Sequence, residues 1–451
     1  MFNNNSSFIS WEKACLNVFR LQRRIYKSVC VGDFSYTLRL QKLLLVSSSA
    51  RLLAIRMVAD KVVDKNLDYS DNKVSLNFLE KFQINNTLFQ NANNWSPGKY
   101  KEVIISQTSL GKFSSLQIWS IPDRCWQFLV RLIIDPAYIA ISFPGNFSLY
   151  FSQLVHKMQK SIFLKLNKQS YGLQKRILII HFLNKVENFS CSFLLKKILA
   201  PRSIKLGIFR FLKLGLKLDL NYKSDKINPL GFLLVNVLFN DVDYISNGIR
   251  VGENLLVFLK PSENEFNLLN KIVEFFYLAG INKEELSTVD LFSVQNGFDF
   301  LDWHYKLYPT GEIYCVPSSI SYNIFLRRVK NIINNSNYGA KAKVAKLFPI
   351  IQEWNSYNKF CDLKSSYFSL FFLKKRAFKS FKKESKQDLY SSKILLNRAF
   401  NSKLFNRSGM DFSLPSCNYS HLIFCSNFLN NQVKLNFSIC IHCGMSATLS
   451  S

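Results

Sequence analysis

Acidic side chains are scarce in this 451-residue chain: 30 Asp and Glu stand against 59 Lys and Arg, for a net charge of +29. A globular chain with that deficit points to a polyanionic partner, nucleic acid first and a membrane surface second. A long uncharged apolar run is also missing. Spanning a bilayer takes about 18 such residues, and the longest candidate, residues 128–143, is interrupted by Arg131, Asp135 and Pro136. No spanning helix is predicted and a soluble protein is expected. The ten cysteines follow no regular disulfide framework, which predicts a reducing compartment. The opening MFNNNSSFISWEKA has neither the apolar core of a signal peptide nor an Arg-rich transit pattern.

Hydrophobic residues, in contrast, make up 48% of the chain. That is too many for a disordered polymer and enough for two to four domains. Phe (41 residues), Asn, Lys, Ile and Ser are over-used, as they are in AT-rich organellar genomes. With no targeting segment in view, synthesis inside an organelle is expected.

Helical spacing runs over residues 10–31, and Gly32-Asp33 breaks it before a second helix predicted over 35–58. Arg20, Arg23, Arg24 and Lys27 on the first, and Arg39, Lys42, Arg51 and Arg56 on the second, form basic faces. Residues 1–59 hold nine basic and two acidic side chains. Such a face is either simply solvated or a contact surface for phosphates.

Residues 60–100 are polar and Asn-rich and read as a variable connection. Short strands follow around 103–105 and 116–120. A helix then opens at Ile121-Pro122-Asp123 and is expected to end at Pro136. A strand over 176–180 precedes His181, and an apolar strand over 255–259 lies beneath the turn Gly252-Glu253-Asn254. Ser262 and Glu265 read as a capping box opening a helix whose buried face is Phe266, Leu269, Ile272, Val273 and Phe276, closed by Gly280.

From 326 to 403, 18 basic residues face 4 acidic ones, about half of the whole charge excess. Arg327 and Arg328 open this helical segment. Within 373–383, Lys374, Lys375, Arg376, Lys379, Lys382 and Lys383 alternate with Phe. That pattern suits RNA, whose phosphates take cations and whose unstacked bases take aromatic faces. In the last 45 or so residues His421-x3-Cys425 and Cys440-x2-Cys443 have zinc-ligand spacing, with Cys417 and His442 as spare candidates. Surface thiols on a loose tail are the alternative.

Several of these stretches resemble group II intron-encoded proteins, which combine reverse transcriptase and maturase activity. Residues 21–58, with LQRRIYK, GD and LQKLLL, resemble the family's N-terminal extension. Pro122, Asp123, Arg124 and Gln127 fit its I-P-x-x-D-R-x-x-Q segment, and Asp135-Pro136 its L-E-P. Gly297-Phe298-Asp299-Phe300-Leu301 resembles its G-F-x-F-L-G strand. Leu347, Pro349, Ile350, Ile351, Trp354 and Tyr357 coincide with the maturase motif L-N-P-I-I-R-G-W-x-N-Y. Trp354 reads as bundle core, and Tyr357 as an RNA-binding candidate. Arg250 to Leu255, RVGENL, stands where the family has R-Y-A-D-D-F.

The resemblance implies an α+β fold. It has right-hand, reverse-transcriptase-like fingers and palm over residues 61–325, a helical thumb (maturase domain X) over 326–405, and an RNA-binding α-helical N-terminal extension over 1–60. A C-terminal tail, 406–451, would hold a remnant zinc module. Many family members carry an HNH endonuclease there, but no His-Asn-His constellation is present, so nuclease activity is not expected.

Matching the chain to the family puts His181, Glu253 and Asn254 at the three polymerase metal positions, and the Gly-rich P-Q-G-G turn is absent. Two Mg²⁺ ions need several carboxylates, so loss of reverse transcription is expected. What remains is promotion of group II or group III intron splicing by stabilising the folded intron RNA, with magnesium acting in that RNA and no cofactor required of the protein. An active polymerase with an altered metal site, and a basic structural RNA-binding protein, are the alternatives. The biased composition and degenerate palm resemble maturases of euglenoid plastid introns. The plastid is therefore the expected location and the mitochondrion the alternative; oligomeric state is left open.

Overall fold

The computed structural model describes residues 11–59, 76–106, 113–149, 151–167, 171–220, 228–385 and 389–400, with two short strands near the C-terminus. His421, Cys425, Cys440 and Cys443 lie outside the described residues. The chain is a mixed helical and sheet protein. Among the described residues the strand ladders are antiparallel, as suits an α+β chain.

Four helices come first: α1 (Trp11–Val31), α2 (Phe34–Val46), α3 (Ser48–Ala59) and α4 (Phe78–Asn91). The single helix expected over 35–58 is thus two. Ser47 is extended, at ψ 125°, and Arg51 reaches back to donate to the Val46 carbonyl at 2.6 Å. The polar connection contains α4, whose Asn77 and Glu80 cap each other's backbone donors.

A hairpin of β1 (Lys101–Ser106) and β2 (Phe113–Ile118) leads into α5 (Ile121–Ile141). This helix does not stop at Pro136. Proline removes the donor that the Leu132 carbonyl would use, and Gln22 Nε2 of α1 donates to that carbonyl instead, at 2.8 Å. A partner from another helix thus lets α5 continue.

Next come α6 (Phe151–Leu166), β3 (Arg176–Phe182), β4 (Lys185–Val186), α7 (Cys191–Lys197), α8 (Arg202–Lys213), β5 (Leu218–Asp219) and α9 (Pro229–Ser246). Gly207 lets α8 approach α5 closely, since a Cβ there would fall 2.5 Å from the Trp126 ring. Trp126 stacks between Trp95 and Phe211, at centroid distances of 6.1 and 5.3 Å.

The hairpin β6 (Ile249–Val251) and β7 (Asn254–Leu259) is followed by α10 (Glu265–Ala279) and β8 (Leu286–Ser293). Asn264, not Ser262, caps α10 by accepting from the Phe266 amide, while Glu263 accepts from the Lys260 amide. Phe266 is exposed and Phe275 takes a buried place, with Ile272, Phe276 and Ala279 completing the face. Gly280 closes the helix at φ +71°.

The main sheet has the order β6-β7-β3-β8. Its alternation sends Leu178, Ile180, Leu255 and Val257 into one core with α1–α5 and α7–α10. Ile177, Ile179 and Leu256 enter a second core with α6 and a small sheet of β9 (Phe298–Phe300), β10 (Trp303–Leu307) and β11 (Ile313–Pro317).

A third core lies within the bundle of α11 (Ser319–Asn334), α12 (Ala340–Tyr357), α13 (Lys364–Ser385) and α14 (Leu389–Ala399). The pair β12 (Phe437–Ile439) and β13 (Ser446–Thr448) completes the described elements. No described helix is long and apolar enough to cross a membrane.

Candidate functional site

His181 is the penultimate residue of β3 and Asn254 the first of β7, and the ladder places the two directly opposite each other. Both continue the sheet face that carries Ile179 and Leu256, just beyond its apolar part. His181 Nδ1 lies 2.6 Å from Asn254 Oδ1; since an amide oxygen only accepts, the imidazole donates. Gly252 and Glu253 form the two-residue turn between β6 and β7. Gly252 has φ +58°, as the first central residue of a primed turn needs. The Glu253 carbonyl accepts from the Phe182 amide at 2.9 Å, closing the turn onto β3.

The three residues matched to metal ligands are therefore neighbours, and their chemistry decides what they can hold. The set is one imidazole, one carboxamide already engaged by that imidazole, and one carboxylate. Mg²⁺ prefers hard oxygen donors, several of them charged. The residues present do not fit a two-magnesium centre. Among the described residues no group of three or more His, Cys, Asp or Glu is placed to hold a metal ion.

Beneath the turn lies a buried ion pair that sequence reasoning missed. Arg250 Nε and Nη2 donate to Asp243 Oδ1 and Oδ2 at 2.6 and 2.9 Å, with both side chains at most 1% exposed. Asn146 Nδ2 adds a donor to Asp243 at 2.9 Å and reaches the Tyr138 hydroxyl, which itself donates to the Asn236 carbonyl at 2.9 Å. Arg250 Nη1 also holds the Gly252 carbonyl. Burial raises the Asp243 carboxyl, and the guanidinium and the Asn146 amide work against it. The available signal was an Asp in the last turn of a helix, seven residues before an Arg at a strand start.

The C-terminus of α9 is capped by a cation from α6: Lys165 Nζ donates to the Asn247 carbonyl at 2.6 Å. Burial first, and neighbouring Lys175 second, push the Lys165 ammonium down to about 8. The folded state thus binds fewer protons than the unfolded chain between pH 8 and the ordinary lysine range. This group's contribution to stability accordingly rises as pH rises through that window. Comparing urea unfolding of Lys165→Met with the parent from pH 7 to 10 is expected to show a smaller rise in the variant than in the parent, since other partly buried lysines such as Lys157 and Lys197 remain. Parallel profiles would contradict it.

The basic residues divide into two groups. Arg20, Arg24 and Lys27 lie one turn apart along α1 and are exposed, as are Arg39 and Lys42 on α2. Arg23 is half-buried; Arg24 also donates to the Tyr36 hydroxyl, and Arg56 lies over Trp11 at 4.4 Å. Arg51 is not on this surface. It is 6% exposed, bonded to Val46 and Asn85 and set over Phe89, and it ties α3 to α2 and α4.

In the bundle, Arg327, Arg328, Lys375, Arg376, Lys379, Lys382 and Lys383 are exposed, while Lys374 is half-buried and burial lowers its ammonium. Arg328 sits 4.0 Å from Glu353. Tyr357 is not a free RNA contact: its hydroxyl donates to Asp302 at 2.8 Å and its ring stacks on Trp303 at 4.6 Å. Trp354 is core, stacked on Phe325 at 4.2 Å. The interleaved Phe381 is also core, so it offers no face to a base; Phe371 and Phe372, one turn before Lys375 and Arg376, are exposed.

Two comparisons bear on this arrangement. The profile of the N-terminal domain of reverse transcriptase matches residues 7–88, which include α1–α3 and most of α4. Maturase-like protein 1 of Euglena gracilis is 41% identical over 441 residues, covering 96% of both chains. Its namesake from Euglena longa is 40% identical over 455 residues, covering 98% of both. With that identity sustained from end to end, the chain belongs to the maturase-like family related to reverse transcriptases that these euglenoid proteins represent.

Proposed function

We propose that this chain is an intron maturase-like RNA-binding protein. It promotes splicing of a group II or group III intron by stabilising the folded RNA, and it has lost reverse transcriptase activity. The observation that carries the reading is the hydrogen bond from His181 to Asn254. It stands where a polymerase of this family needs carboxylates, while the cationic surfaces of the same chain remain exposed. In this reading the sheet with its α10 connection is the palm, β1 and β2 belong to the fingers, and α11–α14 form the thumb, maturase domain X. The names of the euglenoid relatives, maturase-like protein 1 in both species, support the maturase half of the proposal.

The physical role follows from charge. Packed RNA helices repel each other through their phosphates, and a protein of net charge +29 lowers that repulsion and favours the compact form. The magnesium ions that drive transesterification belong to the intron, so the protein needs no metal of its own for this task. Zinc held by His421, Cys425, Cys440 and Cys443 would be a separate structural feature. A plastid setting fits the euglenoid relatives, with the mitochondrion as alternative.

Two measurements on the full chain test the proposal. Primer extension on poly(A)–oligo(dT) with Mg²⁺ or Mn²⁺ is expected to show no nucleotide addition. Sequencing RNA crosslinked to the protein in the organelle is expected to return intron sequence. Robust extension by the pure protein would overturn the loss of polymerase activity. Recovery of ribosomal RNA without introns would favour a structural RNA-binding protein.

A further inference from the structure

Between α1, the end of α5 and the start of α6 lies a cavity of about 440 Å³, within the range of small-molecule sites. Tyr26, Phe143 and Phe147 contribute aromatic surface to its lining, and Lys157, Ser142 and Ser161 contribute polar atoms. We propose that this cavity receives a single unstacked nucleotide of the bound RNA, its base against Tyr26 and Phe143 and its phosphate beside Lys157. The inference rests on the RNA-binding reading above and adds a defined site to it.

Three features favour this occupant. The lining joins aromatic surface to one cation, the combination that holds a splayed nucleotide, and base–aromatic stacking contributes about 1–3 kcal/mol per base. The hydroxyl hydrogens of Ser142 and Ser161 are committed to the Ile139 and Lys157 carbonyls at 3.1 Å. Their oxygens can still accept, so they suit an exocyclic amine of adenine or cytosine.

The third feature is location. Tyr26 sits on α1 one turn after Arg23 and next to exposed Lys27, and it packs with Phe19 on Ile139 and Ala140. The exposed cations Arg20, Arg24 and Lys27 lie on the same helix that supplies Tyr26 to the cavity. Its far wall, the loop through Asn146, is anchored to Asp243 and bridged to Arg250, which gives the cavity a fixed side.

The test uses the full chain with single-stranded A12, C12 and U12 oligonucleotides, a 12-base-pair RNA duplex, and an intron transcript. After ultraviolet crosslinking of the A12 and C12 complexes, a nucleotide adduct is expected on the peptides containing Tyr26 or Phe143. Lys157→Gln, and Ala140→Phe to fill the cavity, are each expected to weaken A12 binding about tenfold, one decade per 1.4 kcal/mol. Duplex affinity should stay unchanged, because paired bases cannot enter.

Thermal unfolding of both variants within a few degrees of the parent removes misfolding as the cause; if Ala140→Phe unfolds early, Lys157→Gln and the adduct map decide. Intact oligonucleotide affinity in Lys157→Gln, or adducts confined to other peptides, overturns the cavity assignment and leaves the RNA-binding reading standing. Failure of the parent to bind the intron transcript at all overturns that reading too.

Discussion

Replacing Asp243 by alanine is expected to lower folding stability by about 3–5 kcal/mol, the range found when one member of a buried ion pair is removed. The cost comes mainly from what is left behind. Arg250, at 1% exposure, would keep its charge with no carboxylate beside it, and Asn146 would lose an acceptor. The Gly252 turn hangs from the same guanidinium, so the β6–β7 hairpin should loosen with it. Urea denaturation measures the loss. A matched Asp243→Leu, Arg250→Met double variant should recover much of it, since two apolar groups leave no orphaned charge. A loss under 1 kcal/mol in the single variant would show that the pair does not organise the hairpin.

Neutralising Lys375, Arg376, Lys379, Lys382 and Lys383 together, each to Gln, is expected to make the largest change in RNA binding. These side chains project away from the face of α13 that Leu370, Leu373, Ala377 and Phe381 bury. Little folding energy is therefore at stake. Each phosphate contact contributes about 0.7–0.9 to the slope of log affinity against log salt, so losing five should flatten the slope by about 3.5–4.5. Fluorescence anisotropy with an intron transcript between 50 and 300 mM salt, roughly the range over which such slopes are read, makes the comparison. Arg51→Gln is the contrasting variant: it should lower thermal stability and leave the slope alone, because Arg51 is held between α2, α3 and α4. An unchanged slope in the five-site variant would place the RNA elsewhere on the protein.

Much of the architecture was legible because it follows from local chemistry. The pattern of apolar residues in α1, α5 and α10 and the alternating strand at β3 each set a periodicity that the chain keeps. Gly280 with its positive φ and Pro122 in the first turn of α5 mark helix ends for reasons internal to a few residues. That 181 is a histidine and 254 an asparagine could likewise be read residue by residue. What was misread depended on distant partners. Pro136 stops a helix in isolation, and here Gln22, more than a hundred residues earlier, accepts its consequence by bonding the Leu132 carbonyl. Phe275 is buried and Phe266 exposed because the face of α10 that meets the core is set by the elements packed on it.

The amino-acid order by itself determined the sign and size of the charge, the helical and strand-forming stretches, and the identity of the side chains at positions 181, 253 and 254. Those properties reside in single residues and their spacing. Only the tertiary structure decided which basic residues face solvent. Arg51 and Lys374 look like their neighbours in the sequence, but burial against other helices removes one from the surface and half-hides the other. It also decided that His181 bonds to Asn254, that Asp243 pairs with Arg250, and that a cavity opens beside Tyr26. Each of these joins segments far apart along the chain or depends on how a turn packs. The reason is physical: charge and periodicity belong to the polymer, whereas desolvation and hydrogen-bond partnership exist only once distant segments meet.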